Sequence, residues 1–259
     1  MTARAVLAAL SLSMATGALA DEQARNADEI FHYSVMDALR NGVYQGALSV
    51  KDVVSVGDFG LGTFNNLDGE LVGLDGVIYR IAPDGKVAAA EADRKIPFGS
   101  FTFFKADKST SLNTTGSFDD LHQQLLDVLP SRNHLYAIRI TGTFPEVVAG
   151  GSHRVADDEK TPLAEILKTR PQYSAKDVKG TVVGYYSPPY VGGIDLAPFH
   201  LHFISDDKTF GGHILSMTLT GGELQLSLDQ KKGLDISLPH ESPQFLQPWK
   251  SDGTARKGY

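Results

Sequence analysis

Three histidines carry chemistry by type and spacing: His200 and His202 in Phe199-His200-Leu201-His202-Phe203, and His213 after Gly211-Gly212. Residues i and i+2 of a β-strand project to one face of the sheet. If this apolar stretch is a strand, His200 and His202 stand side by side. Ser205 to Thr209 is polar and reads as a turn, after which an apolar run continues from His213 to Leu219. A hairpin of that length brings His213 opposite the first two. Three imidazoles from adjacent strands form a facial set of nitrogen ligands. Such a set suits zinc or another divalent metal, with positions left open for chemistry. The competing explanation is three unrelated histidines in an antiparallel sheet, and it must explain why three of the chain's eight fall together.

Composition narrows the chemistry further. The chain has no cysteine, which removes thiolate ligands, thiol nucleophiles and disulfides. Imidazole and carboxylate remain as the donors for a transition metal. The formal net charge is −7, and no Lys/Arg cluster interrupts it. That argues against nucleic acid or an anionic membrane as partner. There is no G-x-S-x-G nucleophile elbow and no G-x-x-x-x-G-K-[ST] phosphate loop. Residues 1–20 read as a signal peptide: Arg4 in the n-region, an apolar stretch from Ala5 to Gly17, then Ala18-Leu19-Ala20. Cleavage after Ala20 and a secreted or periplasmic protein are the expectation.

The elements that must position the histidines are mostly short strands. Ala24 to Leu39 reads as a helix, because Ile30, Phe31, Val35, Met36 and Leu39 recur at helical spacing. From Val53 to Ile81, glycines with Asp68-Gly69 and Asp75-Gly76 punctuate apolar pieces, which predicts hairpins. Phe118 to Leu129 reads as a helix, Leu135 to Phe144 and Gly180 to Tyr186 as strands, and Pro162 to Thr169 as a short helix. The mixture predicts an α+β fold of two mixed, largely antiparallel β-sheets with a few flanking helices. Gly150-Gly151-Ser152 and the charged run Asp157 to Lys160 mark an exposed connection between residues 145 and 180. The expected division is an N-terminal sheet domain over 21–150, a metal-binding sheet domain over 151–240 and an extended tail over 241–259.

Several stretches together resemble the α-acetolactate decarboxylase family. They are Gly62-Thr63-Phe64, Leu67-Asp68-Gly69-Glu70-Leu71, Tyr136 to Ile140, Lys179 to Gly184, Pro189-Tyr190-Val191-Gly192-Gly193 and the histidine block itself. The resemblance spans roughly residues 28 to 240. It implies zinc, or another divalent metal, held by His200, His202 and His213, with Glu70 facing it. It implies conversion of 2-acetolactate to acetoin through a zinc-bound enediolate, a small keto acid as partner molecule, and a homodimer. The chemistry is coherent: carbon dioxide leaves a β-keto acid readily when the ketone oxygen can accept the electrons, and a divalent cation supplies that sink. A neighbouring carboxyl group can then protonate one face of the product enediolate.

Two departures from the family pattern stand out. The family's arginine for the substrate carboxylate falls at Gly151, in Ala149-Gly150-Gly151-Ser152-His153-Arg154. Arg154 is the candidate to replace it, with Arg139 as the other. The family's C-terminal glutamate has no counterpart, since no Glu follows Glu241. A different metal-assisted lyase or isomerase, or a non-catalytic metal-binding protein, therefore stands beside the decarboxylase.

Overall fold

The computed structural model describes residues 27–239 and Phe245, with the backbone alone at 113–114 and 220–223. The signal segment and the expected tail over 241–259 lie outside the described residues, apart from Phe245. In chain order the strands are β1 (Glu29–Tyr33), β2 (Leu48–Ser49), β3 (Phe59–Thr63), β4 (Glu70–Leu74), β5 (Val77–Ile81), β6 (Val87–Ala89), β7 (Lys95–Ile96), β8 (Phe98–Thr102), β9 (Lys108–Ser117), β10 (Leu135–Gly150), β11 (Gln172–Tyr186), β12 (Phe199–Ser205), β13 (Gly211–Lys231) and β14 (Gly233–Ser237). The helices are α1 (Met36–Arg40), α2 (Val50–Val53), α3 (Phe118–Val128) and α4 (Leu163–Ile166). No described helix is long and apolar enough to cross a membrane.

The expected α+β architecture of two sheets is present. The two large sheets have the orders β14-β1-β8-β3-β4-β5-β6 and β10-β11-β12-β13-β9, and β2 pairs with β7 as a separate two-stranded ribbon. Among the described residues, only the β1–β14 pair is parallel. In the second sheet β10 also pairs with β13, so β10, β11, β12 and β13 form a closed circuit. The Asp75-Gly76 hairpin forms between β4 and β5, with both turn residues at positive φ (51° and 79°), the geometry that dipeptide favours.

Three sequence expectations need correction. The sheets do not change over at residue 150: β9 and β10 already belong to the second sheet, while β14 returns to the first. The stretch 145–180 is not all connection, because β10 runs to Gly150 and β11 begins at Gln172. The helix expected from Ala24 to Leu39 is interrupted by β1, and only Met36–Arg40 is helical near its end. The apolar residues there fit a helical period locally, but pairing with β8 and with β14, about 200 residues away, decides the outcome.

β12 shows why the histidines converge. Phe199, Leu201 and Phe203 pack into a core with Ile138, Ile140 and Val182, and with Leu121 and Leu125 of α3. On the opposite face, His200, His202 and Ile204 look toward the first sheet, where Ile204 packs with Phe59, Leu61 and Val72. Strand alternation thus puts aromatic residues into one core and imidazoles at the boundary between sheets. Phe203 is fully buried, edge-on to Phe144 at 5.3 Å between ring centres. Phe203→Ala is expected to lower unfolding free energy by about 3–5 kcal/mol in a urea titration; a loss below about 1 kcal/mol would show that this face is not tightly packed.

Candidate metal centre

The three imidazoles meet as their spacing predicts. In the antiparallel pairing of β12 with β13, His202 lies directly opposite His213. The ring centres of His200, His202 and His213 are 5.0 to 5.4 Å apart. One nitrogen from each falls within 4.8 Å of the others. Gly212, beside His213, has φ +144°, and a Cβ there would lie 2.8 Å from the Tyr173 hydroxyl and 3.1 Å from the Gly150 carbonyl oxygen. Only glycine meets both demands, so the Gly-His step that turns His213 inward is fixed by backbone geometry.

The rings of His202 and His200 have defined polar neighbours. The His202 Nδ1–H donates to the Leu71 carbonyl oxygen at 3.0 Å. That bond fixes the tautomer and leaves the Nε2 lone pair toward the cluster. His202 Nε2 is a buried polar atom without a hydrogen-bond partner. Buried polar atoms are seldom left unsatisfied, and a divalent ion would satisfy a converging set of nitrogens. Burial, reinforced by the neighbouring imidazoles, keeps His202 well below the usual histidine range. Burial, with His200 and Arg170 nearby, pushes His213 down to about 3. Neutral rings keep their lone pairs free for a cation. Behind His200 the Asp195 carboxylate lies 3.9 Å from Nδ1, and it accepts from the Ser187 hydroxyl at 2.8 Å. Burial would raise Asp195, but His200, His32 and Ser187 together outweigh it and hold the carboxyl below its ordinary value.

Glu70 opens β4 and comes to the same place. Its Oε2 lies 3.6 Å from His202 Nε2. Burial pushes the Glu70 carboxyl up to about 8, against the pull of the Arg170 charge. The turn before it is tied down: Arg80 bonds the Asp68 carboxylate at 2.6 Å, Arg94 bonds its other oxygen, and the Thr63 hydroxyl donates to the Gly69 carbonyl at 2.9 Å. The Leu-Asp-Gly-Glu stretch is therefore a braced corner that aims one carboxyl group at the histidines.

Glu70, His200 and His213 line a cavity of about 160 Å³ whose remaining wall is largely apolar, with Met36, Leu67 and Phe98 among its residues. The volume fits a small molecule. Arg154 is not brought to this cavity; it is exposed and paired with Asp157 at 3.0 Å. Arg139 is paired with Asp75 at 2.8 Å and stacks on Phe104, also away from the cavity. The cavity's arginine is Arg170. Nothing local in Lys168-Thr169-Arg170-Pro171 marks it, because its place depends on the register between β10 and β11.

A family model described as "Alpha-acetolactate decarboxylase" matches residues 30–248. The alpha-acetolactate decarboxylase of Bacillus subtilis strain 168 is 37% identical over 219 residues, covering 84% of this chain and 84% of that protein. The Brevibacillus brevis protein of the same name is 36% identical over 214 residues, covering 82% of this chain and 73% of that one. A crystal structure of the B. subtilis enzyme superposes with a TM-score of 0.83 at 35% identity, over 88% of this chain and 96% of that chain.

Proposed function

The chain belongs to the alpha-acetolactate decarboxylase family, and on that premise we propose that it converts 2-acetolactate to acetoin and carbon dioxide in the cavity between its sheets, with zinc held by His200, His202 and His213. The observation that carries this reading is the convergence of three imidazoles and the Glu70 carboxyl group around one small cavity. The family match over most of the chain favours the decarboxylase over the other lyase and the non-catalytic readings that the sequence left open.

The ion, when bound, supplies Lewis-acid polarisation of the substrate's ketone, the sink for the electrons that carbon dioxide leaves behind. The protein's own residues do the rest. The Leu71 carbonyl oxygen orients His202, and Asp195 supports His200. The apolar wall excludes water, which strengthens every charge interaction inside. The bond between the hydroxyl-bearing carbon and the carboxylate breaks, and carbon dioxide departs. Glu70 delivers its proton to that carbon to give acetoin. A homodimer, and export directed by residues 1–20, complete the proposal; they rest on the family resemblance and on the leader's sequence pattern.

The test is turnover of racemic 2-acetolactate by the purified protein. Acetoin and carbon dioxide are expected in equal amounts, abolished by a strong chelator and restored by zinc. Acetoin formation that survives exhaustive chelation would remove the metal from the account. No turnover by metal-replete protein would remove the reaction.

A further inference from the structure

The geometry points to Arg170 as the residue that binds the substrate carboxylate, a role that rests on the proposed decarboxylation and that the sequence pattern leaves vacant at Gly151. A substrate anion entering a mostly apolar cavity needs a cationic partner, since an unpaired buried charge is strongly disfavoured. Among the described residues, Arg170 is the one Lys or Arg side chain in the cavity wall. The other described arginines are committed: Arg40 to Asp37, Arg80 and Arg94 to Asp68, Arg132 to Asp127, Arg139 to Asp75 and Arg154 to Asp157. No carboxylate among the described residues lies within ion-pairing distance of Arg170. Its charge is nevertheless felt at Glu70 and at His213.

The sheet register explains how an arginine in the segment just before β11 reaches this spot. β10 and β11 pair as far as Gly150 with Gln172. Continued by one step, the register sets Gly151 against Pro171. A second step sets Ser152 against Arg170, and both of these residues line the cavity. Arg170 thus arrives beside position 151 from across the pair. Position 151 itself has no room to spare: a Cβ there would lie 3.2 Å from Glu70 Oε1 and 3.3 Å from Glu70 Cγ. Glycine at 151 leaves that space to Glu70, and the guanidinium comes from the segment that leads into β11. A planar guanidinium can grip a carboxylate with two parallel bonds.

Decarboxylation moves negative charge away from the carboxylate as carbon dioxide forms. A cation bound there steadies the substrate at least as much as the transition state, so its removal acts on KM more than on kcat. The experiment compares Arg170→Met and Arg170→Lys with the parent, and with Arg154→Met as the rival. For Arg170→Met, KM for 2-acetolactate is expected to rise about 10- to 100-fold, with kcat changed by less than about fivefold. The lysine variant should recover part of the loss. Calorimetry with 2,3-dihydroxy-2-methylbutanoate, which lacks the ketone and cannot decarboxylate, gives a readout independent of turnover. Its affinity should fall in Arg170→Met, while that of its uncharged amide should not. Unchanged KM and unchanged acid binding in Arg170→Met would overturn the assignment, as would a KM rise confined to Arg154→Met. If the parent itself fails to turn over acetolactate, the reaction is wrong, and calorimetry still decides whether Arg170 binds the carboxylate.

Discussion

Alanine at His202 is expected to lower acetoin formation by about a thousandfold or more, on the order of 4 kcal/mol of barrier. His202 is fully buried, is fixed through Nδ1 by the Leu71 carbonyl oxygen, and turns Nε2 toward the cluster. Its removal leaves two imidazoles, too few to hold a catalytic divalent ion tightly. A second readout separates ligand loss from misfolding. An ion that binds only the folded state stabilises it by about 2.7 kcal/mol at a hundred times its Kd. Chelation should therefore lower the melting temperature of the parent protein but leave that of His202→Ala almost unmoved. Activity within tenfold of the parent would show that His202 is not a ligand.

Glu70→Gln should leave the ion in place and lower kcat by about 100- to 10,000-fold, the usual contribution of a positioned proton donor. Glutamine preserves the shape of the side chain and its place at the start of β4, opposite Thr63 and Ile81. What it lacks is a transferable proton beside the cavity. Metal content and substrate affinity should stay close to those of the parent. A kcat within threefold of the parent would reduce Glu70 to a wall residue.

The parts of the site visible in sequence depend on local periodicity. His200 and His202 share a face because strands alternate, and the polar turn after Ser205 returns His213 to meet them. The hairpin at Asp75-Gly76 is equally local. So is α3, where Leu121 and Leu125 fall one turn apart and Ser117 caps the start. The misread parts depend on distant pairing. Ile30 and Phe31 fit either period, and β1 exists because β8 and β14 flank it. The glycines and charges between 145 and 180 suggested a connection, but the β10–β11 pairing extends into that stretch from both ends. Arg170 was illegible for the same reason: its position in the cavity follows from a register set many residues away. Arg154 looked suitable by sequence distance, yet Asp157 holds it at the surface.

The most direct measurement of the central claim is the divalent-metal content of the purified protein beside that of the His200→Ala/His202→Ala/His213→Ala variant, with folding checked by near-ultraviolet circular dichroism. The account predicts about one ion per chain in the parent and essentially none in a folded triple variant that forms no acetoin. A folded triple variant that keeps both its ion and its turnover would contradict it.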